Sequence, residues 1–86
     1  MKAHDLKIWP RHFAAVLSGA KRHEIRVDDR GYQVGDELWL KEWVGGEGGY
    51  TGRHHTVEVT HITHNFSRGL RPGYVMSIGP VTRGRG

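Results

Sequence analysis

The chain has 86 residues, enough for one small domain with a single thin core. Thirteen Lys and Arg against nine Asp and Glu give a net charge of +4, with seven His in addition. Without cysteine there is no disulfide, thiol redox chemistry or Cys-based zinc site. No apolar run approaches the roughly 18–20 residues of a membrane span. The start, MKAHDLKIWP, lacks the apolar stretch of a secretory signal. The expectation is a cytoplasmic protein with no membrane association.

Leu6-Lys7-Ile8 alternates apolar and polar and predicts a first strand. Pro10 suits the first turn of a helix, Phe13, Val16 and Leu17 share one helical face, and Gly19 is a natural stop. The helix is therefore expected over residues 10–18. In Lys21–Val27, Ile25 and Val27 share one side and Glu24 and Arg26 the other, as in a half-buried strand. Asp28–Gly31 and Val34–Asp36 read as turns. Leu38 and Leu40 alternate with Glu37, Trp39, Lys41 and Trp43, the pattern of another strand. Four glycines between Gly45 and Gly49 suit a hairpin loop. Thr56–Thr63 is rich in β-branched residues and predicts a long strand. Residues 65–72 read as loop, Tyr74–Ile78 as a last strand and 82–86 as a frayed tail. The expected fold is mainly β: about five strands, with one short helix after the first, arranged as a small barrel or sandwich within a single domain over 1–86.

Charge is unevenly spread. Residues 1–50 carry eight basic and eight acidic side chains, whereas residues 51–86 carry five Arg and one Glu. A basic excess favours a polyanion. The densest cluster is Gly19-x-Lys21-x-x-Glu24-x-Arg26. Glu24 and Arg26 lie on one side of their strand, about 6.5–7 Å apart, within reach of long side chains. A carboxylate between two cations stays ionised and fixes the guanidinium, so the group can grip a phosphate or a base edge. By spacing alone, a surface ion-pair network is the reading that comes first. His61-x-x-His64 invites a metal reading, but strand residues three apart face opposite sides, and no metal site is expected. Trp39, Lys41 and Trp43 could stack bases and hold phosphates. In so small a domain the expectation is instead that this face packs on the helix or closes the core, with Leu38 and Leu40 on a second buried side.

Gly19-Ala20-Lys21-Arg22-His23-Glu24-Ile25-Arg26 resembles the G-x-K-x-x-E-x-R signature of ASCH domains, in the PUA-like superfamily. The likeness extends over about residues 4–79, through Gly35-Asp36-x-Leu38-x-Leu40-x-Glu42-Trp43, Tyr50-Thr51-Gly52-Arg53 and Gly73-Tyr74-Val75. It implies a β-barrel with a helix beside a cleft, the signature residues lining that cleft, and RNA or nucleotide binding without a cofactor. Lys21 and Arg26 would contact phosphate or a base edge, Glu24 would orient them or accept from a base amine, and Lys7 and Arg53 would extend the basic rim. The alternative is an enzyme with Lys21 and Glu24 catalytic. One branch of similar fold is an amidohydrolase of acylated cytidine using Lys, Thr and Glu, and a ribonuclease activity is attributed to another relative. The amidohydrolase Lys corresponds to Lys21. Its Thr position is Glu24 here, and the segment carrying its Glu has no counterpart.

Overall fold

The computed structural model describes residues 1–27, 30–65 and 73–82. The elements run β1 (Ala3–Ile8), α1 (Pro10–Ser18), β2 (His23–Arg26), β3 (Glu37–Trp43), β4 (Tyr50–Asn65) and β5 (Gly73–Gly79). The expected order and the helix bounds are matched. The Asp28–Asp29 part of the first turn, loop residues 66–72 and tail residues 83–86 lie outside the described residues.

The five strands form one mixed sheet in the order β1-β3-β4-β5-β2. β1 runs parallel to β3, and the other pairs are antiparallel. Alternation decides which face is buried. Leu6 and Ile8 of β1, Leu38 and Leu40 of β3, Val57 and Val59 of β4, and Met76 and Ile78 of β5 share one face with Tyr32, and α1 lays Phe13 and Val16 against them. Pro10 sits in the first turn of α1, and Gly19 ends the helix in the left-handed conformation (φ 82°).

Among the described residues the sheet is not a closed barrel. β1 and β2 are its two edges, and neither pairs with the other. Side chains span the gap instead: Arg26 Nη2 donates to the Lys7 carbonyl at 2.7 Å, and Arg30 Nη1 donates to the Asp5 carbonyl at 2.7 Å. Both acceptors belong to the edge strand β1. Four residues of β2 are too few for a long ladder, and guanidinium groups satisfy the edge carbonyls in its place.

β4 extends beyond its β-branched run at both ends, and its first part carries Gly52 (φ 92°) and bulges against β3. Lys41 faces His54 and Trp43 faces Tyr50, so three β4 residues oppose Glu42 alone. A second irregularity lies between Val59 and His61. Beyond it the ladder is regular. His61 lies opposite Ser77 and His64 opposite Tyr74, which puts the two imidazoles on opposite faces, as their spacing predicts.

The hairpin loop contains a position only glycine fits. A Cβ on Gly49 would overlap the Gly45 carbonyl oxygen and stand 2.9 Å from its carbon and 3.1 Å from the Gly45 nitrogen. All are backbone atoms and have no rotamer to yield. Gly49→Ala should lower stability by about 2 kcal/mol, measured by urea denaturation. A change within about 0.5 kcal/mol would show that the loop repacks freely.

Candidate functional site

Lys21, Glu24 and Arg26 meet in one cleft. The chain leaving α1 wraps its C-terminal end: Gly19 N–H donates to the Val16 carbonyl at 3.1 Å and Lys21 N–H to the Ala15 carbonyl at 3.0 Å. This pins the backbone of Lys21 at the helix-to-strand junction. Two residues further on, β2 begins and pairs with β5, placing Glu24 opposite Met76 on the core face. Glu24 is therefore only 4% exposed, whereas Ile25, on the other face, is 56% exposed. The strand is half-buried as expected, but its buried side is the charged one.

Burying a carboxylate costs several kcal/mol unless it is paired and hydrogen-bonded. Glu24 is. Lys21 Nζ donates to Oε1 at 3.2 Å, and Arg26 reaches Oε2 through Nε at 2.9 Å and Nη2 at 2.7 Å. Arg26 thereby spends Nε and Nη2 on Glu24 and on the edge strand. Lys21 gives one contact to Glu24 and keeps capacity for an incoming anion, since an ammonium has three protons.

The cleft measures about 380 Å³ and is also lined by Lys7, Ile8, Trp9, His12, His23 and Ile25. Three cations (Lys7, Lys21, Arg26) surround one buried anion, which leaves the cleft net positive. Lys7 lies 4.6 Å over the Trp43 ring. Trp9 is the residue that sequence reasoning missed. It is 51% exposed, its ring centroid lies 5.1 Å from that of Trp43, and its edge rests on Gly45. A large aromatic directly before a helix-starting Pro was the available signal. Such a residue is held extended, just outside the helix, where its ring has no place in the core. An exposed ring fixed from behind suits stacking against a base.

Arg53 does not join this cleft. The β4 bulge turns it toward the buried Glu42, with Nε 3.4 Å from Oε1, and its guanidinium lies 4.9 Å from the Phe13 ring. Thr51 Oγ1 donates to the same Glu42 oxygen at 2.7 Å. Arg53 lines a separate cavity of about 320 Å³ with Asp5, Lys41, Tyr50 and His54. The expected packing of the Trp39-Lys41-Trp43 face is also corrected. Leu38 and Leu40 meet the core, Trp39 is 42% exposed, and Lys41 pairs with Asp5 at 3.1 Å. This face lies on the outside of the sheet because α1 covers only the other one.

A second buried polar centre fixes the turn before β3. Asp36 Oδ1 accepts from Lys2 N–H at 3.0 Å, and Oδ2 accepts from His4 Nε2 at 2.8 Å and from Gln33 N–H at 3.0 Å. An ionised carboxylate only accepts, so His4 carries a proton on Nε2. Burial pushes the Asp36 carboxyl up, but the hydrogen bonds from His4, Lys2 and Gln33 outweigh it and hold it below the ordinary carboxylate value. The His4 ring packs at a tilt of 51° against Tyr32, with centroids 4.7 Å apart, so this centre belongs to the core and not to the cleft. Among the described residues no group of three or more His, Cys, Asp or Glu is placed to hold a metal ion, and no helix is long and apolar enough to cross a membrane.

A family model described as "Domain of unknown function (DUF3850)" matches residues 3–78. The chain is also 44% identical over 62 residues to a protein of Escherichia phage P2 named "Uncharacterized 12.9 kDa protein in GpA 3'region". The alignment takes in 72% of this chain and 55% of the phage protein, so the chain spans just over half of that relative's length.

Proposed function

We propose that this chain, which belongs to the DUF3850 family, is a nucleic-acid-binding module that takes single-stranded or looped RNA into the Lys21 cleft. The observation that carries this reading is the convergence of the Lys21, Glu24 and Arg26 heads in one net-positive concavity beside the exposed ring of Trp9. Lys21 takes the phosphate, Trp9 stacks the base, and Lys7 adds charge at the lip. Glu24 and Arg26 form a rigid support: the carboxylate aims Lys21, and the guanidinium ties the cleft wall to β1. Exposed bases of a single strand offer the π-faces that such a site uses, whereas duplex bases do not. The likeness of residues 19–26 to the ASCH signature supports the same reading. Both Glu24 oxygens already accept from cations, which suits a clamp better than a general base.

The test is fluorescence anisotropy with labelled single-stranded RNA across a salt series. Lys21→Met should weaken binding about tenfold at low salt, as expected for one charge-assisted contact. It should also reduce the slope of log affinity against log salt by about 0.7, the value of one single-strand phosphate. Lys41→Met, on the outer face, should change neither by a comparable amount. Absence of any RNA or DNA binding by the unaltered protein at low salt would overturn the proposal.

A further inference from the structure

Lys21 stands on a ridge between two concavities. On one side is the cleft of Trp9, His12 and His23, about 380 Å³. On the other is a groove of about 720 Å³ between the end of α1, β4 and β5. Among the described residues, Lys21 is the one that lines both. Both volumes fall in the range of roughly 300–1,000 Å³ typical of small-molecule sites. The groove has an apolar floor, Val16, Val57 and Ile78, with hydroxyls on Ser18, Thr56 and Thr60 and an imidazole on His55. An apolar surface edged by a few hydrogen-bonding groups matches a nucleoside, which has flat apolar faces and polar edges.

We infer that the site has a two-nucleotide footprint, with a phosphodiester on Lys21, one nucleoside against Trp9 in the cleft and its neighbour in the α1–β4–β5 groove. This deepens the proposed RNA-binding function and rests on it. The chemistry follows from the placement. A phosphodiester has a nucleoside on each side, and a cation shared by two adjoining pockets is where such a linkage occupies both. A mononucleotide has only one nucleoside to offer and leaves one pocket in water. The groove also carries Arg22, whose Nε is tied to the Gly19 carbonyl at 3.2 Å, so positive charge continues past the ridge.

The test is an NMR titration of the 15N-labelled protein with the dinucleoside monophosphate UpU and, separately, with UMP. UpU should shift the Trp9 indole together with backbone amides of Val57, Thr60 and Ile78. It should bind about tenfold more tightly than UMP, the gain from one further base contact. Thr60→Trp, which narrows the groove from an exposed position, should bring UpU down to the affinity of UMP. UpU shifts confined to the cleft, with equal affinity for UpU and UMP, would refute the two-nucleotide footprint and leave the binding function standing. Shifts confined to the groove would refute it as well. No shift with either probe, together with no binding of longer RNA, would remove the function and the footprint together. The titration of the unaltered protein decides the matter even if Thr60→Trp does not fold.

Discussion

Glu24→Gln should lower stability by about 2–3 kcal/mol while leaving RNA affinity within a few-fold of the original. The substitution keeps the shape and removes the charge. Glutamine has one acceptor oxygen, whereas Lys21 and Arg26 now donate to two. Its amide NH₂ would then face one of the two cations, donor against donor. Removing one partner of a fully buried pair costs about 3–5 kcal/mol. The Lys21 and Arg26 side chains keep 18% and 22% of their surface in water, so part of the loss is recovered by hydration, and a value below that range follows. In the proposed binding mode the phosphate contact belongs to Lys21, and removing a carboxylate from beside it raises the positive potential of the cleft. Stability and binding should therefore separate. Urea denaturation followed by Trp fluorescence gives the first quantity, and anisotropy with single-stranded RNA the second. A variant that is fully stable but no longer binds would place Glu24 in direct contact with the ligand.

Asp36→Asn should cost about 3 kcal/mol at neutral pH and flatten the acid limb of the stability profile. Three donors, Lys2 N–H, His4 Nε2–H and Gln33 N–H, converge on its two oxygens. An asparagine must turn its NH₂ toward one set of them, which leaves buried donors facing each other. The pH dependence follows from linkage. The folded carboxyl sits below its ordinary value of 3.8, so the unfolded state binds its proton first as pH falls. The stabilisation is therefore fully present above the unfolded value and is lost as pH drops through 3.8 toward the lower folded value. Between pH 5 and 3 the original protein should lose more stability than Asp36→Asn. Parallel profiles would show that another carboxylate governs acid unfolding.

Much of the fold was legible because two periodicities are clean. Phe13, Val16 and Leu17 between Pro10 and Gly19 mark a helix, and Leu38 with Leu40 marks a strand whose alternate residues reach the core. The open sheet was not legible, because closure depends on whether two edge strands find enough length to pair. Here β2 has four residues, and arginines take the place of a ladder. The inversion of β2 was hidden for a related reason. Hydropathy places Ile25 and Val27 inside, but a charged side can be buried when two cations meet one carboxylate, and that is a tertiary fact. Lys21, Glu24 and Arg26 line one cleft, and Lys7 joins them through the Arg26 contact to its carbonyl. Arg53 went elsewhere because Gly52 bulges β4 and turns it onto Glu42. Trp9 escaped notice because an aromatic residue is ordinarily assigned to the core, and only the geometry around Gly45 shows it standing outside.

The most direct measurement is a crystal structure of the protein with a short single-stranded oligouridylate. A phosphate oxygen within hydrogen-bond reach of Lys21 Nζ, with a uracil stacked on Trp9, is the predicted result. An oligonucleotide seated on the outer face at Trp39 and Lys41, with the Lys21 cleft filled only by solvent, would contradict it.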